Sequence, residues 1–229
     1  MIYAITMGNH PAEQAAKAAA GGAALVQVRL KDVSTRELLD VTLAVAKAVE
    51  QANPATRVLV DDRADVAFAA MQAGGHVHGV HLGQDDLPAH HARALLGADA
   101  IIGLTTGTLA LVEQAQRYHE QHPGVLDYLG AGPFRPTPTK DSGRPPLGVA
   151  GYPPLVAATQ LPIVAIGDVR VGDVEKLAGT GIAGVAMVRE IMQADDPAAV
   201  TSQAKAAFRA GQPNADDTAW WLRSTHRRR

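Results

Sequence analysis

The most constraining feature of this sequence is a succession of short apolar segments separated by helix-like segments. Each short segment is rich in Val, Ile and Leu, and they recur about 20 to 30 residues apart. Segments this short and apolar are typical of strands that are buried on both faces of a parallel sheet. The eight candidate strands are Ile2-Thr6, Leu25-Leu30, Arg57-Val60, Gly79-Leu82, Ile101-Thr105, Tyr128-Gly132, Pro162-Gly167 and Gly184-Val188.

Helix signals lie between these segments. After the second strand, Ser34-Thr35-Arg36-Glu37 forms a capping box, and apolar residues then follow at helical spacing from Leu38 to Val49. The alanine-rich stretch Ala15 to Ala24 is also interpreted as helix. Alternating strands and helices predict an α/β fold with a parallel sheet. Eight repeats within residues 1-210 predict a single-domain (β/α)8 TIM barrel.

The last segment, residues 211-229, departs from this pattern. It contains Pro213, several polar residues and a basic end, and it is predicted to be a C-terminal appendage without chemistry of its own. Trp220-Trp221 would dock on the barrel or on a second subunit of a homo-oligomer. The alternative is a short, partly ordered tail.

Composition excludes several classes of function. Lys plus Arg total 21 against 23 Asp plus Glu, a net charge of −2, and aromatic residues are only 4%, which disfavours nucleic-acid binding. The chain has no cysteine, which excludes disulfides, Cys-ligated metals and thiol nucleophiles and fits a reducing cytoplasm. It has no long apolar run and no signal-peptide pattern, so we expect a soluble cytoplasmic protein without membrane partners.

Cations follow the second predicted strand. Reacting groups of such barrels lie at the carboxyl ends of the strands. A period of two places Gln27, Arg29 and Lys31 on one face, directed into the barrel mouth. Two buried cations require a compensating negative charge. The residues therefore predict either an anion-binding site or an internal ion-pair network.

Carboxylates follow the next two strands. The third strand leads into Asp61-Asp62, and the fourth leads into Asp85-Asp86. Carboxylates at the ends of adjacent strands predict a site for a hard cation such as Mg²⁺, with room for phosphate oxygens. The alternative for Asp62 is a helix N-cap, because Asp65 follows three residues later in a helical pattern.

The loops after the last three strands carry donors for oxyanions. The sixth strand leads into a proline-restricted loop that presents Thr137, Thr139 and Lys140. The seventh leads into Gly167-Asp168 and the eighth into Val188-Arg189, where phosphate sites lie in many barrels. Anion sites on opposite sides of one mouth predict two small-molecule ligands, both phosphorylated.

Three histidines, His76, His78 and His81, are closely spaced. A zinc site is disfavoured, because a helix-to-strand connection without a carboxylate at matching spacing makes a poor metal cage.

Taken together, these motifs resemble thiamine-phosphate synthase. The resemblance covers roughly residues 25 to 190 and extends to a superfamily that also contains thiazole tautomerases of the same barrel fold. The matching segments are Gln27-Val28-Arg29-Leu30-Lys31, Asp61-Asp62-Arg63-Ala64-Asp65, Gly79-Val80-His81-Leu82-Gly83-Gln84-Asp85-Asp86-Leu87-Pro88, Pro136-Thr137-Pro138-Thr139-Lys140 and Pro162-Ile163-Val164-Ala165-Ile166-Gly167.

This resemblance implies an activity and roles for individual residues. The family joins a hydroxymethylpyrimidine diphosphate to a thiazole phosphate with Mg²⁺, releasing diphosphate and thiamine phosphate. Arg29, Lys31 and Lys140 would then act electrostatically with Mg²⁺, without a protein nucleophile. The resemblance assigns Gln27, Arg29 and Lys31 to the pyrimidine diphosphate, Asp62 and Asp86 to the metal, Thr105 to the place of a serine near the pyrimidine, and Thr137, Thr139 and Lys140 to the thiazole phosphate and diphosphate.

Four departures from the family lie at the mouth. Asp61 replaces the usual asparagine, Gly107 a frequent histidine, Arg135 an aromatic residue and Asp168 a glycine. A carboxylate about 4 Å from a phosphate would cost roughly 4 kcal/mol at an effective dielectric near 20. Arg135 and Arg189 are the predicted compensators.

These departures leave two alternatives to the synthase open. The first is a diverged paralogue that binds a thiamine-related phosphate without turnover. The second, less favoured, is a thiazole tautomerase, whose proton shuttle requires a histidine at the position of Gly107.

Overall fold

A computed structural model describes residues 1–136 and 143–212. Eight parallel strands pair in chain order, and the first closes against the last, so the predicted single-domain barrel is confirmed. The strands are β1 (Ile2–Ile5), β2 (Leu25–Val28), β3 (Arg57–Asp61), β4 (Gly79–Leu82), β5 (Ile101–Thr106), β6 (Tyr128–Ala131), β7 (Ile163–Ala165) and β8 (Gly184–Met187).

Helices follow the strands and cover the outside of the barrel. The Ser34 half of the predicted capping box is confirmed, since the Ser34 side chain accepts a hydrogen bond from the Glu37 amide at 3.1 Å. The α-helices are α1 (Pro11–Ala20), α2 (Thr35–Ala52), α3 (Ala64–Gln72), α4 (Ala89–Leu96), α5 (Leu109–Gln121), α6 (Tyr152–Ala157), α7 (Val171–Ala178), α8 (Arg189–Met192) and α9 (Pro197–Gly211). A short 3₁₀ helix, Val149–Gly151, precedes α6.

Two strands end two residues earlier than the sequence predicts. β2 ends at Val28 rather than Leu30, and β7 ends at Ala165 rather than Gly167. Beyond β2, the Arg29 amide donates to the Thr6 hydroxyl at 3.0 Å instead of to a strand carbonyl. The chain therefore leaves the sheet just where its side chains reach the barrel mouth.

Alternation along the strands separates two hydrophobic cores. Residues of one parity pack against the helices, whereas the other parity fills the barrel interior. The interior cluster consists of Tyr3, Ile5, Leu25, Leu59, Ile101, Tyr128, Val164 and Ala186. Nearer the carboxyl ends of β2, β3, β4 and β5, each of these strands has a polar residue of inward parity that lines the cavity there: Gln27, Asp61, His81 and Thr105.

The predicted tail falls mostly outside the described ranges. Helix α9 ends at Gly211, and residues 213–229, with Trp220-Trp221, are not described. An oligomer formed through these residues therefore stays a prediction. None of the helices within residues 1–136 and 143–212 has the length and apolar character needed to cross a bilayer.

Candidate active site

A cavity of about 310 Å³ opens at the carboxyl ends of the strands. Its floor is the uppermost inward layer of the barrel, where polar residues from β2 to β5 lie opposite aliphatic residues from the other side. Around this floor stand residues from the loops that follow the strands. The lining includes Ile5, Gln27, Arg29, Asp61, His81, Gln84, Asp85, Thr105, Thr106, Arg144, Ile166, Gly167, Asp168, Val188 and Arg189.

One side of the cavity holds an ion-pair network. Arg29 Nε lies 3.3 Å and Lys31 Nζ lies 3.0 Å from the same Asp61 carboxylate oxygen. Burial and the neighbouring Asp62 charge raise the pKa of Asp61 despite the two cations. Arg29 lines the cavity. Lys31 is not part of the lining and contacts the carboxylates of Asp61 and Asp62 instead. The predicted internal network is therefore present, on the side where the sequence also predicts an anion site.

The two predicted metal ligands come together beside this network. Asp62 lies close enough to Asp86 to affect its pKa, and Asp86 accepts from the Gly83 amide at 2.6 Å. Burial and the Asp62 charge raise the pKa of Asp86, so this pair favours a nearby cation. The ammonium of Lys31 already contacts Asp62. This donor set suits Mg²⁺, which is usually bound by one or two carboxylates together with substrate phosphates.

The N-cap alternative for Asp62 is wrong. Helix α3 has Arg63 as its N-cap, without a side-chain cap, and Asp62 adopts the left-handed conformation with φ +61°. This conformation turns the Asp62 side chain toward Lys31 and Asp86 instead of toward the helix amides.

The other side of the cavity is formed by the ends of β7 and β8. Asp168 has a φ of +53°, a left-handed conformation that glycine adopts without strain. Its carboxylate lies 2.6 Å from Arg189 and 3.5 Å from Arg170. The predicted compensation of Asp168 by Arg189 is thus confirmed, and the predicted group of Gly167, Asp168, Val188 and Arg189 lies on one wall of the cavity.

Arg135 forms no ion pair with Asp61 or Asp168, and its attraction to the Asp168 carboxylate is weaker than its pairing with Asp173, so its predicted role as a compensator is only partly confirmed. Its guanidinium binds both carboxylate oxygens of Asp173 in α7, one of them at 2.7 Å. It also donates to the backbone carbonyl of Asp168 at 3.0 Å and lies 4.7 Å over the ring of Phe134. Arg135 therefore connects the loop after β6 to the start of α7.

Replacement of Arg135 by methionine is expected to lower the melting temperature at neutral pH by about 2–4 °C, if the pair is worth about 1 kcal/mol. Burial alone would raise the pKa of Asp173, but Arg135 and the Arg170 amide hold it below its usual value. The stabilisation is therefore present above about pH 4 and is lost as the pH falls through the depressed pKa.

Thermal unfolding of both proteins between pH 3 and 7 would test this expectation, with Arg36→Met as the control, since Arg36 is an exposed arginine on helix α2. A melting difference between wild type and Arg135→Met that persists unchanged at low pH would contradict it.

Several predicted residues can be placed and others cannot. Thr105 lines the cavity on β5. A Cβ at Gly107 would lie only 2.1 Å from the Gly132 carbonyl oxygen, so the backbone leaves no room there for a histidine. Predicted residues Thr137, Thr139 and Lys140 lie outside the described ranges.

The sequence assigned no role in this site to four residues that the structure brings to it. His81 and Arg144 line the cavity, and the buried tyrosines Tyr3 and Tyr128 lie directly beneath it. A usable signal was strand parity, because His81 and Tyr128 share the inward parity of their strands. Arg144 carries no such signal, since it lies outside the strands, from where it reaches the Thr106 carbonyl at 2.8 Å.

The three clustered histidines are divided between separate roles. His78 accepts from the Val58 amide and contacts Arg57, and burial followed by the Arg57 charge lowers its pKa to about 3. His76 contacts the Thr56 carbonyl at 2.8 Å. His81 alone of the three lines the cavity.

Sequence comparison relates this chain to one family. Residues 2–191 match the family model described as thiamine monophosphate synthase. The chain is similar to thiamine-phosphate synthase of Corynebacterium jeikeium, with 58% identity over 208 residues that cover 90% of this chain and 93% of the relative. It is also similar to thiamine-phosphate synthase of Corynebacterium efficiens, with 55% identity covering 89% of this chain and 91% of the relative.

Structural comparison agrees. The fold superposes on thiamine phosphate pyrophosphorylase from Pyrococcus furiosus with a TM-score of 0.77 and 27% identity, covering 92% of this chain and 96% of that one. A 3-hexulose-6-phosphate synthase with 17% identity shares the fold alone, with a TM-score of 0.61.

Proposed function

This chain belongs to the thiamine monophosphate synthase family, and on that premise we propose that it condenses a pyrimidine diphosphate with a thiazole phosphate. The substrates are 4-amino-2-methyl-5-(diphosphooxymethyl)pyrimidine and thiazole phosphate, and the products are thiamine phosphate and diphosphate. The enzyme is a transferase of thiamine biosynthesis acting on small molecules.

The observation that carries this proposal is that a single cavity is lined by candidate substrate-binding residues on two opposite sides. Gln27 and Arg29 lie on one side, while Gly167 and Arg189 lie on the other. The cavity volume of about 310 Å³ lies at the lower end of the range typical for small-molecule sites. A site of this kind supports the binding of two phosphorylated substrates face to face.

The reaction requires the protein to stabilise the charge on the leaving diphosphate and to orient the two substrates. The bond between the pyrimidine methylene carbon and the diphosphate oxygen breaks with its electron pair on oxygen, and the thiazole nitrogen then forms the new bond to that carbon. Arg29 and Lys31 would bind the departing diphosphate, while Gln27 and Thr105 would orient the pyrimidine. Arg189 and the backbone at Gly167 would hold the thiazole phosphate.

Asp62 and Asp86 are the proposed holders of Mg²⁺, which when bound would neutralise charge on the leaving diphosphate. The support for this role is the proximity of the two carboxylates, which lie beside Lys31 and interact strongly enough that the Asp62 charge helps to raise the pKa of Asp86. Within residues 1–136 and 143–212, no group of three or more His, Asp or Glu side chains is arranged to hold a metal by itself. A two-carboxylate site completed by the substrate therefore fits best.

Part of the argument for the two alternative functions, a diverged paralogue and a thiazole tautomerase, no longer applies. The diverged-paralogue alternative rested on uncompensated carboxylates, but Asp61 is paired with Arg29 and Lys31, and Asp168 with Arg189. The tautomerase alternative requires an imidazole at Gly107, where a Cβ would collide with Gly132. Neither alternative is favoured by an observation at the site.

Incubation of the purified protein with both substrates and Mg²⁺ tests the proposal. We expect thiamine phosphate and diphosphate in equal amounts, measured by chromatography. Folded protein that forms no product would contradict the proposal. Calorimetry would then identify a non-catalytic binder, which should bind one ligand without converting two.

Replacement of Asp168 by glycine is expected to lower the KM for thiazole phosphate by up to about tenfold, because Arg189 loses its carboxylate partner. Glycine tolerates the φ of +53° at this position, so the backbone should not be strained. Steady-state kinetics with thiazole phosphate varied would measure the change.

The matched control is Asp168→Asn, which removes the charge without adding backbone freedom and should lower this KM similarly. Loss of activity in both variants would mean that the Asp168 carboxylate takes part in a site of altered design.

A further inference from the structure

A chain of hydrogen bonds crosses the barrel beneath the cavity floor. Gln27 Nε2 donates to the Tyr3 hydroxyl at 2.8 Å, and the Tyr3 and Tyr128 hydroxyls lie 3.0 Å apart. The Tyr128 hydroxyl lies 2.8 Å from His81 Nδ1, and His81 Nε2 lies 2.9 Å from the Thr105 hydroxyl. This relay, Gln27-Tyr3-Tyr128-His81-Thr105, links two cavity-lining residues on opposite sides of buried phenols.

The barrel interior is shaped to hold the relay rings. A Cβ at Gly103 would lie 2.2 Å from Cζ of Tyr128, and a Cβ at Gly130 would lie 2.9 Å from Cε1 of His81. The rings of His81 and Tyr128 stack at a centroid distance of 5.4 Å. Two inward glycines in mid-strand, which weaken a strand by themselves, thus provide space for this arrangement.

The relay has a direction. Each phenol has one hydroxyl hydrogen, and burial raises the pKa of both phenols, so both stay protonated. With Gln27 donating to Tyr3, every hydrogen of the relay has an acceptor when Tyr3 donates to Tyr128, Tyr128 donates to His81 Nδ1, and neutral His81 donates from Nε2–H to Thr105.

The direction determines what the two ends offer to a ligand. Gln27, having turned Nε2 toward Tyr3, has Oε1 as its acceptor for the cavity, and Thr105, having accepted from His81, keeps its hydrogen as a donor. An aminopyrimidine carries the complementary groups, namely an amino donor and ring nitrogen acceptors. With its amino group facing Gln27 and a ring nitrogen facing Thr105, the aminopyrimidine satisfies both ends. In the same orientation, the 4-oxo analogue turns its carbonyl acceptor toward the Gln27 acceptor and its ring N–H toward the Thr105 donor.

We propose that the relay fixes Gln27 as acceptor and Thr105 as donor, so that Tyr3, Tyr128 and His81 are positioning residues that select an aminopyrimidine over its 4-oxo analogue. The proposal rests on the proposed function for the identity of the ligand. It goes further in assigning specificity to buried residues that have no place in the electrostatic mechanism.

Replacement of Tyr128 by phenylalanine interrupts the relay while keeping the ring. We expect the KM for the aminopyrimidine diphosphate to rise about tenfold, because Gln27 and Thr105 are then free to adopt either polarity. The preference in kcat/KM for this substrate over its 4-oxo analogue should fall about tenfold or more. The KM for thiazole phosphate should not change.

Tyr152→Phe is the matched control. Tyr152 is equally buried, and its hydroxyl donates to the Ala131 carbonyl at 3.1 Å on the helix side of the sheet. Its replacement should cost similar stability yet leave the preference intact. Tyr3→Phe interrupts the relay at a second point and should reproduce the Tyr128→Phe effect, which guards against a folding defect in either variant.

Two outcomes are distinguishable. Folded Tyr128→Phe or Tyr3→Phe protein that keeps the wild-type preference, or loses no more of it than Tyr152→Phe does, would overturn the relay proposal. Wild type without turnover would overturn the proposed function instead. In that case, calorimetric comparison of the amino and oxo pyrimidine diphosphates on the same variants still tests the relay.

Discussion

Replacement of Asp62 by alanine is expected to reduce Mg²⁺-dependent turnover by about a thousandfold or more. The reason is the loss of one of two neighbouring carboxylates, Asp62 and Asp86, which lie beside the ion pairs of Lys31. Charge stabilisation by a bound divalent ion is worth several kcal/mol, and about 4 kcal/mol corresponds to about a thousandfold in rate. The measurement is kcat/KM at a series of Mg²⁺ concentrations.

Backbone strain has to be separated from ligand loss in this experiment. Asp62 has a φ of +61°, which alanine adopts at a cost of about 1–2 kcal/mol and glycine without cost. Asp62→Gly should therefore lose turnover as Asp62→Ala does. Asp65→Ala is the control, because Asp65 lies on the surface at the start of the same helix, where it pairs with Arg63. An active Asp62→Gly enzyme with unchanged Mg²⁺ dependence would refute the metal-ligand role.

Replacement of Arg29 by methionine should lower kcat/KM for the pyrimidine diphosphate by about a hundredfold. Arg29 lines the cavity and lies 3.3 Å from Asp61, so its loss removes a charge-assisted contact to the diphosphate. It also leaves the Asp61 carboxylate facing the substrate with less compensation, which adds repulsion. Steady-state kinetics with the pyrimidine diphosphate varied would measure the effect.

Asp61→Asn separates these two contributions. Alone, it should leave activity intact or raise it, because Arg29 and Lys31 are released from a carboxylate that they share. Combined with Arg29→Met, it should restore part of the lost kcat/KM by removing the repulsion. Arg170→Met, an exposed arginine beside Asp168, is the control for a general effect of positive charge. A double variant no more active than Arg29→Met would show that repulsion by Asp61 is negligible, and inactive Asp61→Asn would indicate a paired-carboxylate site.

The pairing of charges was the part of the site that sequence reasoning predicted least well. Arg135 was expected to compensate a carboxylate in the cavity, but it binds Asp173, which lies 38 residues further along the chain. Both partners have ordinary sequence contexts, and only the packing of α7 against the loop after β6 brings them together. Arg189, by contrast, was assigned correctly, since the ends of adjacent parallel strands must be neighbours.

The sequence by itself determined the barrel, the end of it that carries the polar residues, and the family to which the chain belongs. These properties follow from strand alternation, helix capping and motif spacing, which depend on residues close together in the chain. Only the tertiary structure decided that Asp62 faces Asp86 and that a relay joins Gln27 to Thr105. Those contacts depend on the closure of the barrel, on the inward glycines and on the left-handed backbone conformation of Asp62. Each contact joins side chains from different strands or loops, and no local sequence pattern specifies the distance between them.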